Sequence, residues 1–383
     1  MTSHRAVPAA PVALTQASFR ARCDSRPTRR DHAIDIARGI ALVAILNTHF
    51  SLMARAVGDL GGVRAPFLSD LQFPDFADFF VFLSGYVYGL VYGNRLTRDG
   101  LPSVVRQTIR RMAQIVRAMV VAIAAAVALS WLLIDDASVL GRLDLWSFQA
   151  NGRRALHDLF TFASAPLFIN ILCLYVLLLA AAPFLVWGFR RNLLVTFGLS
   201  GAVWLLVQLG PLDLRTGWAG IRAFNPFAWQ LLFAMGIFLG MQRGFDTILT
   251  ALSRRAALAL AAACAFFFLV RMGMKLSPEL SALIEPAAGK AQFASVRIVN
   301  FLCLAPAFVL FVGWLERAAP ILSSWLARLG ALSLEMFAWG VVLTMLMSVA
   351  FLALGGGVAA YVMVLPLGLV AYVLSVAAME VLS

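Results

Sequence analysis

An arginine and a histidine eleven residues apart open the first apolar stretch of the chain, in Asp35-Ile-Ala-Arg38-Gly39-Ile-Ala-Leu-Val-Ala-Ile-Leu-Asn47-Thr48-His49. Ionisable groups are expensive inside a membrane span, so they are functional candidates by default. At 3.6 residues per turn, eleven residues is close to three whole turns, which puts both side chains on one face about 16 Å apart. Asp35 lies one turn before Arg38 on the same face and could pair with it. Gly39 removes bulk beside Arg38 and lets another backbone or a ligand approach. The spacing suggests two jobs. Arg38, near one membrane face, offers a planar fork for a phosphate or carboxylate. His49, nearer the other, is a candidate general base, because a neutral imidazole is cheap to bury and titrates near pH 6.5 in water. The plainer alternative has Arg38 reaching inner headgroups and His49 capping the outer helix end.

A second cluster follows in Asp75-Phe-Ala-Asp78-Phe79-Phe80-Val81-Phe82-Leu83-Ser84-Gly85-Tyr86. Ser84-Gly85 is a small pair that permits close helix contact. Asp75 and Asp78 read as solvated caps at the outer end of the second span.

These residues need a membrane-embedded scaffold. The sequence is 62% hydrophobic and 13% charged, with a mean hydropathy of +0.87. A soluble chain of 383 residues would carry more charge. Apolar runs near the ~20 residues that cross a bilayer recur along its length. They are continuous rather than alternating, which argues against a β-barrel. The expected fold is all-α, a polytopic transmembrane bundle of about ten spans near 34–52, 78–93, 113–134, 164–188, 193–209, 227–241, 256–273, 297–314, 331–352 and 358–381. The formal net charge is +12. With the N-terminus inside, the inner segments hold eighteen basic residues and six acids, while the outer segments balance. That satisfies the positive-inside rule, points to both termini in the cytoplasm, and explains the basic balance without nucleic acid. Residues 1–30 read as a disordered basic cytoplasmic tail and 31–383 as one membrane domain. No signal peptide is expected. Cys23, Cys173, Cys264 and Cys303 show no metal spacing, so neither a zinc site nor a disulfide framework is expected. The longer outer loops, about 51–77, 135–163, 210–226 and 274–296, carry Trp146, Gln149, Asn151, Arg153, Arg154, His157, Trp218 and Arg222. Such residues suit a large polar ligand such as a glycan, or are ordinary periplasmic loop composition.

Taken together, Arg38-x10-His49 and Phe79-Phe80-Val81-Phe82-Leu83-Ser84-Gly85-Tyr86 resemble the integral-membrane acyltransferase-3 superfamily. More closely, the chain resembles its OpgC branch from about residue 32 to 380. Asp78 to Gly93, Asn225-Pro226-Phe227-Ala228-Trp229-Gln230-Leu231-Leu232-Phe233, Arg297-Ile-Val-Asn300-Phe-Leu and Leu329-Gly330-Ala-Leu-Ser333-Leu334-Glu335-Met-Phe337 carry the likeness. Asn170-Ile-Leu-Cys173-Leu-Tyr175 departs from it, with Asn170 in place of an acid and Cys173 in place of a proline. The resemblance implies a bacterial inner-membrane enzyme that moves an acyl group, succinyl or another short one, from cytoplasmic acyl-CoA to hydroxyls of a periplasmic glycan such as osmoregulated glucan. It implies no permanently bound cofactor. His49 is then the catalytic base, Arg38 with Asp35 holds acyl-CoA, and Asn47, Ser84, Tyr86, Asn225, Gln230, Arg297, Asn300 and Glu335 are candidates for lining the cavity or holding the oxyanion.

Two other classes compete. Intramembrane Arg, His and Glu also fit a transporter or flippase for a glycan or lipid-linked precursor, which inverted repeats would favour; the two halves show no convincing similarity. A structural scaffold would tolerate loss of His49. Walker, His-Glu-x-x-His and dinucleotide motifs are absent.

Overall fold

The structure, a computed structural model, describes residues 32–63, 67–133, 140–141, 145–161, 163, 169–212, 224–245 and 253–382. The expected tail over residues 1–30 lies outside the described residues, as do Trp218 and Arg222. Thirteen helices run in chain order among the described residues: α1 (His32–Val57), α2 (Leu68–Leu71), α3 (Phe76–Leu133), α4 (Trp146–Phe160), α5 (Asn170–Arg191), α6 (Leu193–Gln208), α7 (Pro226–Met241), α8 (Arg254–Leu276), α9 (Pro278–Ala288), α10 (Ser295–Ala318), α11 (Pro320–Ala331), α12 (Ser333–Ala353) and α13 (Val358–Leu382). No strand occurs among the described residues.

Among the described residues, seven helices are long and apolar enough to cross a membrane: α1, α3, α5, α8, α10, α12 and α13. Helices α6 and α7 are apolar but have 16 residues each. At 1.5 Å per residue they span about 24 Å, short of a ~30 Å hydrocarbon core. The stretch expected to form two spans, near 78–93 and 113–134, is one 58-residue helix interrupted at Gly100, whose φ is 77°. Its intervening segment is rich in Arg, a good helix former that keeps helical geometry outside the apolar zone. Only at Gly100, two residues before Pro102, does the backbone leave it. The outer segments read as loops contain α2, α4 and α9. The expected turn at Gly355-Gly356-Gly357 is present: Gly355 and Gly356 have φ of 95° and 65°, and the Gly356 amide donates to the Phe351 carbonyl at 3.0 Å.

Two helix crossings bring backbone against backbone. On α3, Gly85 and Gly89 face the carbonyls of Phe233 and Ile237; on α7, Gly236 and Gly240 face those of Phe82 and Tyr86. A Cβ at any of the four would collide with carbonyl oxygen. The close contact expected at Ser84-Gly85 is therefore one rung of a four-glycine seam. The second crossing joins α1 to α11. A Cβ on Gly39 would strike the Leu326 carbonyl, and one on Gly330 would strike the Asp35 carbonyl. What approaches Gly39 is thus a backbone.

Candidate active site

Helix α1 carries the two residues with which the sequence argument began, and its neighbours fix them. Phe50 stacks on Tyr361 of α13 with ring centroids 5.7 Å apart, and Ser51 Oγ bonds the Tyr361 hydroxyl at 2.6 Å. That fixes the rotation of α1 beside His49. The His49 ring meets the edge of Phe337 on α12 at 6.2 Å. On its open side it lines a cavity of about 240 Å³ together with Thr48, Asp75, Phe76, Asn170, Phe224 and Lys290. Among the lining residues Asp75 is the one acid and Lys290 the one permanent cation.

Asp75 and Lys290, which line the cavity with His49, belong to a four-charge cluster. Asp78, fully buried in the first turn of α3, takes two bonds from Arg297 of α10: Nε to Oδ1 at 2.8 Å and Nη2 to Oδ2 at 2.5 Å. Arg297 Nη1 donates to the Phe73 carbonyl at 2.7 Å, and its Nη2 also lies 3.3 Å from Asp75. Asp75 accepts from Lys290 Nζ at 2.7 Å and from the Ala77 amide at 2.8 Å. Both acids sit at the positive end of α3, where a carboxylate is favoured. Burial opposes ionisation of Asp75, but Lys290 and Arg297 outweigh it and hold its carboxyl well below the usual range. Asn300, also fully buried, continues the network, accepting the Phe73 amide at 2.9 Å and donating to Gln72 at 2.9 Å.

This corrects the expectation for the two acids. Asp78 is fully buried rather than solvated, and Asp75, 20% exposed and capping α3 through the Ala77 amide, is ion-paired as well; Lys290 and Arg297 reach them from 215 and 219 residues down the chain. Lys290 was missed by the sequence reading. It lies in a segment expected as an outer loop, carries no motif, and is 215 residues from its partner Asp75.

The loop that delivers Lys290 is held by its carbonyls. Trp229 Nε1 donates to Lys290 O and Ala291 O at 3.1 and 3.2 Å, and the Asn225 amide to Ala291 O at 2.9 Å. Gln208 donates to Gln292 O at 2.8 Å, and Trp204 to Phe293 O at 2.9 Å. Phe293 takes a left-handed φ of 45° and is fully buried against Trp229, ring centroids 5.3 Å apart. The string Asn225-Pro226-Phe227-Ala228-Trp229-Gln230 thus has a structural task. Asn225 caps α7 by accepting the Phe227 amide and donates to Leu212 O, Pro226 takes the first helical position, and Trp229 clamps the lysine loop. Gln230 bonds Ser200 on α6.

The candidate residues therefore separate. His49 and Asp75 share the cavity, with Arg297 and Asn300 behind its wall. Asn225 and Gln230 work in the α6–α7 scaffold. Tyr86 lines a second, apolar cavity of about 260 Å³ with Phe82, Phe238 and Phe301, and its hydroxyl accepts the Phe245 amide. Ser84 is buried beside the glycine seam. The Asn47 amide oxygen is buried and has no hydrogen-bond partner among the described residues. Glu335 is exposed in the first turn of α12. Arg38 is not among the cavity's lining residues; its guanidinium donates to Ser333 Oγ at the start of α12. Asp35 is buried where α1 crosses α11.

One protein family, described as OpgC protein, matches residues 30–382. The chain belongs to the OpgC protein family. No curated protein and no solved structure matches it. Membership of the OpgC family points to a transferase acting in the modification of osmoregulated periplasmic glucans, and the apolar helices make this OpgC-family chain a membrane protein.

Proposed function

We propose that the chain is an inner-membrane O-acyltransferase, placed with the acyltransferase-3 superfamily, that moves a short acyl group from cytoplasmic acyl-CoA to a hydroxyl of a periplasmic glucan. The resemblance implies succinyl as that group. In this reading the chain crosses the membrane ten times, with the two limbs of α3 and the shorter α6 and α7 each counted, and both termini lie in the cytoplasm. The observation that carries the proposal is the placement of His49 in a mixed polar and aromatic cavity, with Arg38 eleven residues nearer the other end of the same helix.

The chemistry follows from that placement. The acceptor hydroxyl gives its proton to His49 as its oxygen attacks the thioester carbonyl. A C–O bond forms, the C–S bond breaks, and the departing thiolate takes the proton back from the imidazolium. The thioester enters from the inner side, past Arg38, whose fork suits the phosphates of CoA.

Two outcomes test the reading. Mass spectrometry of periplasmic glucans from cells with and without the gene should show the acyl modification lost with the gene; identical spectra would refute the proposal. With purified protein, Arg38→Ala is expected to raise the KM for acyl-CoA about tenfold or more while leaving the KM for glucan within about twofold, as loss of one charge-assisted contact predicts. An unchanged KM for acyl-CoA would remove Arg38 from the donor site.

A further inference from the structure

We infer that Lys290 is a specificity residue of the His49 cavity, and that its ammonium takes a carboxylate at the far end of the transferred acyl group. This deepens the acyltransferase reading and rests on it. Lys290 lines the cavity and its side chain is 40% exposed. One of its three N–H donors goes to Asp75, and its Nζ lies 4.9 Å from the centroid of the Phe224 ring. The remaining donors call for an acceptor.

Lys290 can also turn to a ligand without leaving Asp75 bare. Asp75 keeps Arg297 at 3.3 Å, the Ala77 amide at 2.8 Å and the positive end of α3. Arg297, by contrast, is locked to Asp78 by two bonds and is almost fully buried. Of the two cations, Lys290 is the exchangeable one. The neutral Asn170 leaves Asp75 as the one carboxylate on the wall, so an incoming anion meets little repulsion. The cavity, about 240 Å³, has room for a short acyl chain. A thioester carbonyl at His49 lies in the same cavity as Lys290, which places the ammonium within reach of a short acyl chain there. A carboxylate at the end of the acyl chain, as in the succinyl group of the proposed donor, would find its counter-ion at Lys290.

The experiment compares succinyl-CoA with butyryl-CoA, a neutral donor of the same chain length, on full-length protein in detergent. Equilibrium binding is read first, then transfer to a neutral glucan oligosaccharide. The wild-type protein should prefer succinyl-CoA. Lys290→Met should weaken succinyl-CoA binding on the order of 10- to 100-fold, as loss of a charge-assisted hydrogen bond predicts. Butyryl-CoA binding should change by less than about threefold, and Lys290→Arg should keep most of the preference. Equal binding of the two donors by the wild-type protein, or an equal loss of both in Lys290→Met, overturns the inference. A preference that appears only with a carboxylate-bearing glucan would place the anion on the acceptor and overturn it too. Binding discrimination without any transfer would instead count against the acyltransferase reading and leave the carboxylate seat standing.

Discussion

His49→Ala is expected to lower acyl transfer by roughly 10²- to 10⁴-fold, the range typical for removal of a positioned general base. The variant should still insert. The His49 ring borders a cavity and touches Phe337 by one edge, while the grip on the rest of α1 comes from Phe50, Ser51 and the Gly39 crossing. The measurement is turnover in proteoliposomes with acyl-CoA on one side and glucan on the other, at matched protein amount and matched thermal midpoint. A kcat effect with little change in either KM is the expected split. Transfer at the wild-type rate by the folded variant would end the catalytic assignment. It would reopen the scaffold reading, which makes loss of His49 harmless.

The second large effect concerns stability. Arg297→Met leaves Asp78 buried, fully shielded from solvent and without its two-point partner. Removing one member of a buried ion pair costs about 3–5 kcal/mol, because the remaining charge has no water to turn to. That is a large fraction of the 5–15 kcal/mol that commonly separates folded from unfolded chains. The variant should therefore give a much lower yield of monodisperse protein and a clearly lower thermal midpoint. The double variant Asp78→Leu/Arg297→Met should recover part of the loss, since neither charge is then stranded. A single variant as stable as the parent would refute a stabilising role for the Asp78–Arg297 pair.

The helices were largely legible in the sequence because the membrane imposes length and hydropathy on each span. Six expected spans match long apolar helices of their own and two more share α3, and the seam at Ser84-Gly85 could be anticipated because a small pair in an apolar run has few other uses. The pairing of Arg38 and His49 on one helix follows from period alone. The partners across the cavity do not. Lys290 and Asp75 lie 215 residues apart, and Arg297 and Asp78 lie 219 apart. No local pattern marks two acids at a helix start as ion-paired rather than hydrated. The string from Asn225 to Gln230 was distinctive, yet its polar groups serve a cap, a loop clamp and an interhelical bond instead of the cavity. Helical period says which residues share a face; it does not say which neighbour that face meets. The same holds for Gly39, where room for a ligand and room for a carbonyl look alike until α11 is in place.

The clamp on the segment from Lys290 to Phe293 holds peptide oxygens. It is therefore indifferent to the side chain that stands at position 290. One codon change there would hand the cavity a different head group while the surrounding architecture persists. A change at Asp78 or Arg297 strands its mate and demands a simultaneous second event. Divergence in what this site accepts thus has an easy route through one position and a steep barrier at its neighbours, and homologous chains should vary at the former while drifting little at the latter.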